Sequence, residues 1–291
     1  MRVATLGIFF GSIWVVLCAE PQQVLARDFH SPSERPLDGT AYTPEKGQFQ
    51  FVAELFGVND DNLFATLGLS YSPSDWFNIG LNVAHLSAGV FNLHSKFNIL
   101  EKGRLGLGAS LGIIYLNGSW IWILPEYLRT LLKGIDAFII PASIIASLEA
   151  ARWVHFDLEV EYLHTEVIGN KGDGRLLYDG YFASRMISFR FSTQFYISDR
   201  VDIRATLQAP LWGETHEQIE ADVYLTDYLH GGVRSAGNKT VSPFHLWDAI
   251  LALNVELARL VYMGFVFSIG DKTEYLYERN LQTGAKLEWR F

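Results

Sequence analysis

From Gln48 to the end of the chain, apolar residues recur at every second position, and few folds are compatible with that pattern. A period of two is that of a strand with two unlike faces. Phe49, Phe51, Ala53 and Leu55 share one face, with Gln48, Gln50 and Glu54 on the other; Leu63, Ala65, Leu67, Leu69 and Tyr71 oppose Thr66, Gly68, Ser70 and Ser72. The pattern repeats in Phe77 to Val83, Phe91 to Ile99, Leu105 to Ile113, Val154 to Tyr162, Ile187 to Ile197, Val201 to Leu207 and Leu281 to Phe291. Residues 137–150, 247–258 and 261–269 are more evenly apolar, and the first two also fit an amphipathic helix. They are read as strands because their neighbours need hydrogen-bonding partners.

Connection lengths supply a second test. Counted in order, the even-numbered connections, at residues 73–75, 101–104, 150–152, 198–200 and 258–260, are all short. Of the odd-numbered ones, those at 58–62 and 88–90 are short, and from the fifth onward those at 117–136, 168–184, 212–246 and 270–279 are long. The expected fold is therefore all-β: a transmembrane, antiparallel, up-and-down β-barrel of about twelve strands, with short periplasmic turns and long extracellular loops. An even strand number places both termini on the periplasmic side. Tryptophans agree, with Trp76, Trp153 and Trp289 beside the short turns and Trp120, Trp122, Trp212 and Trp247 at the opposite ends, the depths at which interfacial aromatic girdles lie.

Composition fits this reading. The 291 residues are 49% hydrophobic and 19% charged, yet beyond the N-terminus no apolar run reaches the ~18 residues that a spanning helix requires. The net charge of −9 and the lack of a Lys/Arg cluster argue against nucleic acid as a partner. Met1-Arg2, the apolar stretch from Val3 to Ala19 and the small residue Ala26 have the layout of a cleaved signal peptide over residues 1–26, with Ala19 as the alternative cleavage position. Cys18, the one cysteine, falls in that segment, so no disulfide or thiol chemistry is expected of the mature chain. Residues 27–47, with Pro32, Pro36 and Pro44, read as a flexible periplasmic lead-in, and residues 48–291 as the barrel.

The terminal segment Gly284-Ala-Lys-Leu-Glu-Trp-Arg-Phe291 resembles the C-terminal signature of Gram-negative outer-membrane proteins, with Leu287, Trp289 and Phe291 on one face. The resemblance implies export to the outer membrane, recognition by the barrel assembly machinery, and contact with outer-membrane lipids and lipopolysaccharide. A soluble β-sandwich or lipocalin-like barrel is the alternative. Such a fold turns its apolar face inward and a charged face to water, whereas here rows of Phe, Leu and Ile oppose a mixed face of Gly, Ser, Asn and ions.

That mixed face is expected to line the lumen with Asp157, Glu159, Glu161, Arg190, Asp202, Arg204, Glu256, Lys286, Glu288 and Arg290. Two readings of it stay open: a selective passage for a small solute or lipid, or ion pairs that fill and stiffen a narrow barrel. A third role is structural or adhesive, through the outer loops. In the first long loop, the residues after Pro125 predict a short helix. The loop at 212–246 carries Glu214, Glu217, Glu220, Asp222, Asp227, His216, His230 and His245 without tight metal-ligand spacing, so it is read as a solvated surface loop; no metal and no cofactor are expected. One enzymatic candidate remains. His85 and Ser87, continuing the lipid-facing row at the outer end of a strand, resemble the His-x-Ser element of outer-membrane phospholipase A and lipid A deacylase, which implies esterolysis with Ser87 as nucleophile and His85 as base. Those families carry Asn next, where this chain has Ala88, and no orienting acid or amide is evident.

Overall fold

The computed structural model describes residues 40–58, 62–121, 126, 134–169, 176–198, 200–224, 230–241, 247–270 and 281–291. The signal segment, residues 27–39 and nearly all of the helix expected after Pro125 lie outside the described residues. Among the described residues thirteen strands form: β1 (Phe49–Val58), β2 (Asn62–Ser74), β3 (Phe77–Asn82), β4 (Val90–Lys102), β5 (Leu105–Asn117), β6 (Ile135–Ala151), β7 (Val154–Gly169), β8 (Leu176–Ser198), β9 (Val201–Tyr224), β10 (His230–Val241), β11 (Asp248–Ala258), β12 (Val261–Gly270) and β13 (Leu281–Arg290). A one-and-a-half-turn helix, α1 (Val83–Ser87), follows β3.

Every pairing is antiparallel, and β13 returns to β1 while β8 meets β9, so twelve strands close a ring from which only β10 is left out. The evenly apolar segments are strands β6, β11 and β12, as their neighbours required. Residues 168–184 and 212–246, expected as loops, are largely strand. β8 begins at Leu176, and β9 runs on to Tyr224 with β10 paired along its outer half, Gly213 to Tyr224. The reason is local: β11 pairs with β9 only as far as Gln208, and the bulge between Ile187–Trp212 and Ser188–Pro210 lets the β8–β9 ladder leave the ring there. β10 then occupies the edge that β11 vacates. Asp227 and His245 lie outside the described residues.

The two faces are inverted relative to a soluble barrel. Ile144, Leu158, Val160, Phe191, Leu207, Leu251, Phe265 and Phe267 are exposed on the outside, whereas Ser72, Ser147, Asp157, Ser192, Gln194, Glu288 and Arg290 are buried within. Exposed Trp76 and Trp153 mark the short-turn end, and Trp120, Trp212 and Trp247 the other, so the apolar band is bordered at both interfaces. Leu158→Arg, five residues beyond the interfacial Trp153 and within that band, is expected to cost about 2–4 kcal/mol. Denaturant unfolding in lipid vesicles measures it; a loss below a tenth of that would place Leu158 in water.

Candidate functional site

The short-turn end of the lumen is filled by the chain's own N-terminal segment. Residues 40–47, expected as part of a flexible lead-in, instead turn inward from the barrel wall: Thr40, Ala41, Tyr42 and Thr43 are between 0 and 3% exposed. The turn is pinned where it leaves the wall. Gly47 N–H donates to the Ser72 carbonyl, Lys46 N–H to Asp75 Oδ1 at 2.7 Å and the Thr43 hydroxyl to the Asp75 carbonyl. Deeper in, Ala41 N–H donates to Ser147 Oγ at 2.8 Å. Two glycines on β5 make room: a Cβ at Gly106 would lie 2.8 Å from the Tyr42 ring, and one at Gly108 2.7 Å from the Ala41 carbonyl oxygen. Burial of a bare segment inside a polar barrel requires that its backbone find partners, and Ser147 and Asp75 supply two of them.

Around this plug stand two charge clusters. Asp157 is held by Arg204 at 2.8 Å, by His155 Nε2 at 3.0 Å and by the Ser147 hydroxyl, the group that accepts from Ala41. Glu288 accepts from Arg290 at 2.8 Å and from Gln50 Nε2 at 3.0 Å, with Lys286 Nζ 3.7 Å away. The Arg290 guanidinium lies over the Tyr262 ring, 5.4 Å from its centroid. Glu288 and Asp157 are 1% and 2% exposed, and the space beside Glu288, bordered by Arg204, Tyr262 and Lys286, is only about 70 Å³. At this end the interior is packed, in the manner of small filled barrels.

Beyond the plug the lumen widens into a partly open cavity of about 430 Å³, with Pro44 in its lining. Glu54, bridged by Lys286 at 4.0 Å, and Glu159, bridged by Arg190 at 3.0 Å, both face it. Their strands, β1 and β7, are six positions apart in either direction round the ring, so the two ion pairs oppose one another. His94, Lys96, Thr66, Asn78, Asn82 and Ser110 add polar lining. Glu161 sits higher on β7 with the Ser188 hydroxyl 3.4 Å away. Asp202 accepts from Asn254 Nδ2 at 2.8 Å, and Glu256 is buried near the Arg259-Leu260 turn. Of the ten charged residues expected to line the lumen, Glu159, Arg190 and Lys286 border this cavity, and Asp157, Asp202, Glu256, Glu288 and Arg290 are buried. The plug residues escaped sequence reasoning. Their one signal was the pair Gly106 and Gly108 on a lumen-facing row otherwise free to carry side chains.

His85 and Ser87 differ from expectation. They are not in a strand but in α1, capped by Asn82 Oδ1, which accepts from His85 N–H. Ser87 Oγ donates to the Ala84 carbonyl at 2.8 Å, and residues two apart on a helix lie roughly 200° apart around its axis. The base and the nucleophile are therefore not brought together.

At the C-terminus, Phe291 exchanges backbone hydrogen bonds with Phe49 at 2.8 and 3.0 Å, closing the ring. Leu287 packs with Ala53 and Val261, against which Trp289 rests, and Phe291 is exposed.

No known protein family matches the chain, and no curated protein matches it in sequence. Among solved structures, the NanC porin is similar over 82% of this chain and 97% of its own, at 6% identity and a TM-score of 0.48. The CymD monoaromatic hydrocarbon channel is similar over 84% and 88%, at 10% identity and 0.40. The toluene transporter TodX of Pseudomonas putida is similar over 85% and 89%, at 10% identity and 0.39.

Proposed function

We propose that this chain is an outer-membrane barrel that takes a small solute into its lumen from the extracellular side and passes it inward when the N-terminal segment leaves its seat. The observation that carries this reading is the polar cavity of about 430 Å³ beyond the buried residues 40–44, a size in the range of small-ligand sites. A barrel stiffened only by ion pairs needs no such space. The apolar exterior and the two tryptophan borders support residence in the outer membrane, in contact with lipid and lipopolysaccharide, after export by the segment at 1–26. Leu287, Trp289 and Phe291, on the closing strand, are the features that the barrel assembly machinery would recognise. Passage is passive, driven by the solute gradient, with no cofactor.

The test is conductance in planar bilayers of the full chain and of a variant lacking residues 40–46. Discrete conductance steps are expected in the shortened chain, and rare or absent steps in the full one. If neither conducts, the passage reading fails and a structural role stands.

A further inference from the structure

The barrel wall is incomplete on one side. β3 has six residues, whereas its neighbours β2 and β4 have thirteen each. At ~3.3 Å per residue and a tilt near 40°, six residues climb about 15 Å, little more than half of the ~25 Å apolar band. Above that height β2 pairs only with β1, through Asn62 to Leu67, and β4 only with β5, through Val90 to Leu93. The gap between them holds α1, which lies against both strands.

A closed membrane barrel has no reason to forgo these ladder bonds, because each unpaired backbone group in hydrocarbon costs several kcal/mol. Non-helical backbone at that depth is tolerated where it lines a wet cavity, and this one does. Thr66, Gly68, Asn82 and His94 border the gap and line the 430 Å³ cavity. The end of the broken ladder is also finished by a side chain. Asn92, 5% exposed, donates from Nδ2 to the Asn82 carbonyl at 2.9 Å and accepts from Asn82 N–H through Oδ1, so its amide stands in for the missing strand. In α1, His85 Nδ1 is buried with no hydrogen-bond partner among the described residues, while Leu86 is exposed. Gly89, at φ +86°, ends the helix where any side chain would collide with the Trp120 carbonyl. The gap is a built element with defined edges.

We infer that the seam between β2 and β4, closed only by α1, is a lateral doorway between the outer leaflet and the lumen, and that its substrate is a single-chain amphiphile. The inference rests on the reading of the cavity as a solute site and names the class of that solute. An amphiphile fits because the two surroundings meet there: a polar head finds Thr66, Asn82, Lys96, Arg190 and Glu159 in the cavity, while its tail stays beside Leu93 and Phe91, exposed on the outward face. A carboxylate head can share the Arg190 guanidinium with Glu159.

The experiment uses the full chain in phospholipid vesicles with a fatty acid carrying a diazirine next to its carboxyl group. After irradiation, adducts are mapped by peptide mass spectrometry. Adducts are expected at Thr66, Asn82 and His94, at least tenfold above those at the lumen-facing residues Ser143 and Thr206 on the closed wall. Adducts confined to outward residues such as Leu158 and Leu207 would overturn the doorway. So would equal labelling around the lumen, which signifies arrival from the open end. The labelling needs no inward passage, so it reads the doorway even where the plug-deleted chain fails to conduct.

Discussion

Gly108→Leu is expected to open the barrel without shortening the chain, raising planar-bilayer conductance by roughly tenfold or more over the parent. The warrant is steric. The space that a side chain would take at Gly108 is held by the Ala41 backbone, with the carbonyl oxygen 2.7 Å and the Cα 3.0 Å from the would-be Cβ. A backbone cannot rotate aside as a side chain can, so the segment must leave. At Gly106 the nearest obstacle is the Tyr42 ring, a side chain that can move, and Gly106→Ala should shift the ring and give a smaller rise. Gly112→Ala serves as the control: its Cβ would meet Pro141 of the wall at 2.9 Å and no plug atom, so it should strain the barrel and leave conductance unchanged. Equal conductance in Gly108→Leu and the parent would mean that residues 40–44 do not obstruct the path.

The largest loss of stability is expected from Asp157→Ala, at about 3–5 kcal/mol, because removing one partner of a buried pair leaves the other charge uncompensated. Asp157 gathers more than a single ion pair. Arg204, His155 and Ser147 converge on it, and Ser147 holds the plug through Ala41. Ser147→Ala removes the acceptor of the Ala41 N–H and one donor to Asp157 but leaves Arg204 and His155 on that carboxylate, and should cost about 1–3 kcal/mol. Urea unfolding in vesicles compares the two. Asp157→Ala unfolding at the parent's midpoint would show that water reaches Arg204 in the folded barrel.

The ring was legible because lipid and lumen impose opposite chemistry on alternate residues. Rows such as Leu281, Thr283, Ala285, Leu287 and Trp289 against Lys286, Glu288 and Arg290 state both strand and face. Where one solvent surrounds both faces, that contrast vanishes. The outer halves of β8 and β9, with β10, rise clear of the ring, and residues such as Glu214, His216 and Glu217 read there as loop although they are paired strand. Strand β3 was overextended for a different reason. Val83 to Ala88 keeps a nominal parity, but Asn82 before it and Gly89 after it are a helix cap and a left-handed stop, and His85 and Ser87 already interrupt the apolar row. Those polar residues marked an interruption of the wall and not a catalytic pair. The plug left no local period, because its contacts with β5 and β6 join residues 64 to 106 positions apart.

Closure of β13 on β1 also fixes an order of events in folding. Gln50 pairs with Arg290 and Val58 with Gln282, contacts of such long sequence separation that they form late and slowly. The ring cannot shut until β13 has been delivered to β1. Residues 40–47 are tethered directly to the start of β1, so they are the one segment already at the seam when the last strand arrives. The barrel is wrapped around its stopper, which need never be threaded into a finished cylinder.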